Sequence, residues 1–166
     1  WPTQGRFPDI RASVTLQVLS AILNDRLFDR LRGLGTVYSA QVGAASSKVF
    51  DYGYIQALAQ LQPAAAQTFH DELAKIAADL KAGRLTEDDL TRAREPLLEQ
   101  LRKSRETNDY WLSVLDDTQD HPAKLDLARQ YEASLRALSV ADVAAAANRY
   151  LDEAKAVRVS VGPPAS

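Results

Sequence analysis

Two histidines and two clusters of acids are the residues of this chain best suited to chemistry. His70 lies in Phe69-His70-Asp71-Glu72. A zinc-binding helix needs two histidines one turn apart with an acid on the same face, in the order H-E-x-x-H or H-x-x-E-H. Positions 73 and 74 are Leu73 and Ala74, so His70 has no partner and reads as a solvated helix residue opposite an apolar stripe. His121 precedes Pro122, where a helix start accounts for it. The chain has no Cys, which removes a thiolate nucleophile and a Cys-based metal site. The acids Glu87, Asp88 and Asp89 fall at an expected helix N-terminus, where the macrodipole favours them. Asp116, Asp117 and Asp120 lack the glycine and spacing of a calcium loop. No G-x-S-x-G, G-x-G-x-x-G or phosphate-loop pattern occurs. The residues therefore point to no catalytic group, no metal site and no cofactor within this chain.

The elements that hold these residues follow from pattern. Asp9 is a fitting N-cap for a long amphipathic helix from Ile10 to about Arg32, with Val14, Val18, Ile22, Leu23, Leu27 and Leu31 on one face and Arg11, Gln17, Asn24 and Asp25 on the other. Gly33 and Gly35 end it. Thr36–Ala44 and Tyr52–Leu61 alternate at period two and predict an antiparallel hairpin. Tyr38, Ala40 and Val42 are expected on one face, with Tyr38 a cross-strand neighbour of Tyr52 and Tyr54. Pro63 opens a helix through Phe69, Leu73, Ile76 and Leu80 that stops at Gly83. Thr86–Asp89 resembles a capping box and starts a helix that Pro96 should kink or divide. Residues 104–120 read as polar and broken around Tyr110-Trp111. Pro122 and Ser139 open two further helices, and Val157, Val159 and Val161 alternate as a terminal strand. The absence of βαβα alternation excludes a doubly wound sheet. The predicted architecture is one α+β domain over residues 1–166, an antiparallel or mixed sheet with helices on one face.

Composition narrows the partners. Of 166 residues, 46% are hydrophobic and 25% charged, with a formal net charge of -2, which gives no electrostatic basis for nucleic-acid binding. No apolar run approaches the ~20 residues of a membrane span. The chain opens at Trp1-Pro2-Thr3 and contains no Met, so it reads as part of a longer polypeptide with any targeting segment upstream. The compartment, bacterial cytoplasm or periplasm, stays open.

A pattern across residues 1–163 resembles the C-terminal domain of the pitrilysin/insulinase family of zinc metallopeptidases, which includes mitochondrial processing peptidases. It comprises Trp1-Pro2-Thr3, Arg26-Leu27-Phe28-Asp29-Arg30-Leu31-Arg32, Gly35-Thr36-Val37-Tyr38-Ser39, Tyr52-Gly53-Tyr54, Asp88-Asp89-Leu90, Asn108-Asp109-Tyr110-Trp111 and Ala141-Asp142-Val143. The resemblance implies a non-catalytic, substrate-binding domain of a peptide-hydrolysing enzyme, or else a structural partner or inactive homologue. It implies zinc in the parent protein, held by an upstream domain through an inverted motif. It implies an Arg and a Tyr that hold the substrate backbone, at Arg32 and Tyr38. The segment between them is one residue shorter than the family pattern, which leaves Arg30 as the alternative. It also implies partner domains upstream, and strands preceding Trp1. Without such strands a sheet edge stays open, through which copies would associate.

Overall fold

The computed structural model describes residues 1–5, 9–32, 37–47, 52–116, 118–119 and 121–162. In chain order these form β1 (Pro2–Thr3), α1 (Ile10–Leu31), β2 (Val37–Ser46), β3 (Gly53–Leu61), a 3-10 turn (Pro63–Ala65), α2 (Ala66–Lys81), α3 (Glu87–Ser104), α4 (Asn108–Leu115), α5 (Ala123–Arg136), α6 (Val140–Tyr150) and a second 3-10 turn (Glu153–Lys155). The strands form one antiparallel sheet in the order β1-β3-β2. The α+β class and the hairpin agree with the sequence pattern. The expected stop at Gly33 and Gly35 lies outside the described residues.

α1 is the centre of the domain. It packs against β2, β3, α2, α3, α5 and α6, and Val14, Val18, Leu19, Leu23 and Leu27 are completely buried. A helix enclosed on so many sides cannot leave polar groups dry and unbonded. Its buried hydroxyls turn back on the helix: Ser13 Oγ donates to Asp9 O (2.9 Å), Thr15 Oγ1 to Arg11 O (2.7 Å) and Ser20 Oγ to Gln17 O (2.9 Å). The polar face also makes tertiary bonds. Arg11 reaches Asp142 on α6 (2.8 Å), Gln17 accepts from the Tyr131 hydroxyl on α5 (2.6 Å), and Asn24 Oδ1 accepts from Val42 N on β2 (2.8 Å).

The expected caps are in place. Asp9 accepts from Ala12 N at 2.9 Å, and Gly83, at φ 74°, ends α2 in the left-handed conformation that glycine adopts without strain. Both Thr86–Asp89 and Ser139–Asp142 close capping boxes, with Asp in place of Glu. Pro96 does not divide its helix: α3 runs through it. Pro96 is exposed, so the carbonyl its ring leaves without an N–H partner lies on the side that water can reach. The segment read as broken contains α4, capped by Thr107. There Trp111 Nε1 donates to Arg105 O at 2.9 Å, tying α4 back to the end of α3.

Asp89 joins α1 to the start of α3. It accepts from the Thr86 backbone (2.9 Å) and hydroxyl (2.8 Å), and Arg26 of α1 donates to it at 3.1 Å while also bonding Arg84 O at 2.6 Å. Burial pushes the Asp89 carboxyl upward, but the Thr86 bonds and the Arg26 charge outweigh it and leave its pKa below the usual value. A depressed carboxylate stabilises the fold above the unfolded pKa of about 4 and loses that contribution as pH falls through the lower folded value. Asp89→Asn should therefore cost about 1–2 kcal/mol at pH 7. The deficit should shrink towards pH 3 as the unsubstituted chain is itself protonated. Denaturant titrations of both proteins at the two pH values check this; an equal deficit at both would remove the charge from the account.

Candidate functional site

Tyr38, the second residue of β2, is the most exposed aromatic of the sheet. Between the pairs Val37–Leu61 and Ser39–Gln60, β2 has one residue more than β3, and that residue is Tyr38. Strict alternation would place it beside Ala40 and Val42, which pack on the core. The extra residue breaks the alternation and Tyr38 is 73% exposed instead, a correction to the sequence expectation. Bulges of this kind re-aim a side chain and are frequent beside functional sites. The antiparallel register also separates Tyr38 from the other tyrosines. Tyr54 pairs with Ala45 near the hairpin turn, whereas Tyr38 lies at the far end beside Leu61 and Gln60. Tyr52 and Tyr54 meet each other, with ring centroids 6.0 Å apart.

Arg32 is the C-cap of α1, so both expected site residues stand at the junction of α1 and β2. The turn that links them, residues 33–36, lies outside the described residues. The Arg32 guanidinium sits over the Phe28 ring, 5.0 Å from its centroid, and Arg32 is exposed. Among the described residues it has no carboxylate partner. Arg30 is differently placed. It bonds Glu72 at 3.1 Å and Asp79 at 3.3 Å, both on α2, and so staples α1 to α2. The Glu72 carboxyl is held below its usual range, first by the Lys75 hydrogen bond and further by Arg30.

Tyr38 borders a cavity of about 900 Å³. One wall is β3, a second is α2 with Phe69, His70 and Leu73, and a third is the chain after α6, from Glu153 to Gly162. That third wall was expected to be a strand. Residues 156–162 pair with nothing in the sheet among the described residues, and Val157, Val159 and Val161 are 83%, 76% and 96% exposed. Alternation alone does not make a strand; a ladder partner is required, and here the cavity lies between the segment and β3.

The same gap leaves β3 with one open edge. β1 pairs with Tyr54 and Gly53 through Pro2 and Thr3, and Trp1 exchanges two 2.9 Å bonds with Ile55. From Gln56 to Leu61 no strand covers that side among the described residues. Backbone alternation turns the N–H and C=O of Ala57 and Ala59 towards the gap. An uncovered edge recruits another strand, so this chain should associate as its concentration rises, as light scattering would register. A strict monomer across the accessible range would mean that the edge is already covered.

The remaining candidates are structural. His70 is half-buried with its ring edge-on to Phe69, centroids 5.5 Å apart. His121 is exposed before α5. Glu87 and Asp88 are exposed at the start of α3, while Asp117 and Asp120 lie outside the described residues. Among the described residues no three His, Asp or Glu side chains gather as a metal would require, and no helix is long and apolar enough to cross a membrane. The described residues thus do not fit a zinc site.

Residues 1–97 match the sequence profile of the Peptidase M16 inactive domain. The chain belongs to the M16 peptidase family. It is a non-catalytic domain of that family, the one named pitrilysin/insulinase from the sequence motifs. The inactive peptidase domain of a putative zinc protease from Bordetella parapertussis superposes with a TM-score of 0.74 at 19% identity, covering 92% of this chain and 86% of that one. A protease from Helicobacter pylori gives 0.74 at 16% identity over 92% of this chain and 37% of its own. These two likenesses show a shared fold. The chloroplastic stromal processing peptidase of Oryza sativa subsp. indica is 26% identical over 119 residues, 68% of this chain. The chain spans about a tenth of the length of that relative. Sequence reasoning located Tyr38 by motif, but not its bulge, which leaves no mark in the spacing of apolar residues.

Proposed function

We propose that this M16 domain holds extended peptide substrate for a zinc peptidase whose metal is bound elsewhere in the polypeptide. The observation that carries the reading is the exposed phenol of Tyr38, set at a bulge on the rim of a large groove. Arg32 is the cation best placed to act with it. It closes the helix that leads into β2, and its guanidinium is engaged by an aromatic face rather than by a carboxylate. Arg30, spread over Glu72 and Asp79, would have to abandon α2 to reach a substrate. A guanidinium and a phenol supply directional donors to a peptide carbonyl and no nucleophile, so their role is to orient the scissile segment and to stabilise charge that develops on it. The metal, when bound in its own domain, supplies the activated water. The partners are then the upstream domains of the same polypeptide and the peptide itself.

The deciding measurement is kcat/KM of the complete peptidase carrying Tyr38→Phe or Arg32→Ala, with Arg30→Ala beside them. Loss in the first two supports substrate holding. Full activity in all three would leave this domain a structural partner.

A further inference from the structure

β2 and β3 contain no charged residue. Across Val37–Ser46 and Gly53–Leu61 there is no Asp, Glu, Lys, Arg or His, in a chain that has 20 Lys and Arg and 22 Asp and Glu. One face of this hairpin packs on the core through Ala40, Val42, Ala57, Ala59 and Leu61. The other presents the rows Ser39–Gln60, Gln41–Leu58 and Gly43–Gln56. Ser39, Gln41, Gln56, Leu58 and Gln60 on those rows are all exposed. A water-facing sheet ordinarily carries charges, which keep it soluble and discourage unwanted strand pairing. This one carries three glutamines and a serine instead. A glutamine side chain repeats the hydrogen-bonding groups of a peptide unit, with both a donor and an acceptor. It can meet a main chain in either polarity and demands no counter-charge. The charges across the groove do not alter this, because they are paired within their own segment: Lys155 with Asp152 at 3.7 Å, and Arg158 with Glu153.

We infer that the outward face of the β2–β3 hairpin binds extended polypeptide through its main chain, and that the segment it accepts is poor in charge. The inference rests on the substrate-holding reading above and deepens it. Tyr38 and Arg32 fix one carbonyl at the far end of the hairpin, and the glutamine rows support the chain that leads away from it without reading its sequence. A charged side chain laid on this face would lose hydration and find no opposite charge, so selectivity arises by exclusion.

The test uses the complete peptidase and three unstructured peptides of one length that differ only in added Glu, added Lys or neither. The neutral peptide should have the lowest KM, changing less than about twofold between low and high salt. Gln41→Glu with Gln60→Glu should raise KM for the acidic peptide about fivefold or more and lower it for the basic one, an effect that salt suppresses. Gln41→Lys with Gln60→Lys should do the reverse. Melting temperatures should not change. If neither double variant alters charge preference while Tyr38→Phe still lowers kcat/KM, the inference falls and the substrate-holding reading stands. If the double variants lower the melting temperature and leave KM untouched, the face is covered by another domain, and the inference falls. If Tyr38→Phe is also silent, both fall together.

Discussion

Tyr38→Phe in the complete peptidase should lower kcat/KM about tenfold or more, with an unchanged melting temperature. A donor aimed at charge that develops in the transition state contributes ~2–4 kcal/mol, and each 1.4 kcal/mol is a factor of about ten. The substitution deletes one hydroxyl from a side chain that is 73% exposed. Among the described residues that hydroxyl has no hydrogen-bond partner, so the fold has nothing to lose. Arg32→Ala should behave alike, because its contact is a ring stacked at the end of α1, worth ~0.5–1 kcal/mol at an exposed site. Arg30→Ala should show the opposite profile, a lowered melting temperature and nearly intact turnover, since it removes ion pairs to Glu72 and Asp79. The three variants together separate holding from stapling. Collapse of activity in Arg30→Ala with survival of the other two would reverse the assignment of the arginines.

Leu23→Ala should destabilise the domain by about 2–5 kcal/mol. Leu23 is completely buried on α1, the helix around which the other elements are arranged. A cavity there cannot collapse easily, because elements packed on several sides would have to move inward together. For a domain of this length each kcal/mol lowers the melting temperature by roughly 2–4 °C, so thermal scans should show a drop of about 4–20 °C. A loss below 1 kcal/mol would mean that the core around α1 repacks freely. Phe28→Ala on the same helix provides the control, since Phe28 is 52% exposed.

The parts of this fold legible in the sequence were those governed by local rules. Asp9, Thr86, Ser139 and Gly83 declared helix boundaries because capping is settled within a few residues. The hairpin declared itself by alternation. What was not legible depends on partners far along the chain. Gln17 and Asn24 stand on the polar face of α1, yet they bond Tyr131 and Val42, because apolar periodicity cannot say how many sides of a helix are covered. The segment 157–161 has a strand's alternation and, among the described residues, lacks a strand's neighbour. The Tyr38 bulge is a register event between two strands, invisible in either alone. For the site, motif resemblance pointed to Tyr38 and left two arginines open, and the ion pairs of Arg30 supplied what spacing could not: a reason to prefer one arginine over the other.

The central position of α1 has a consequence for how the chain is made. α1 ends at Leu31, while two of the helices that enclose it, α5 and α6, begin at Ala123 and Val140. During vectorial synthesis this helix, with its many buried side chains, therefore emerges before those two covering helices and waits for them. At ~5–20 residues per second, the intervening ~100 residues take on the order of 5–20 s. Through that interval Leu19, Leu23 and Leu27 have the hairpin and then α2 and α3 to shelter them, but not the helices that complete the enclosure. Substitutions that slow the arrival of α5 and α6 should lower the yield of folded protein without altering the stability of what does fold.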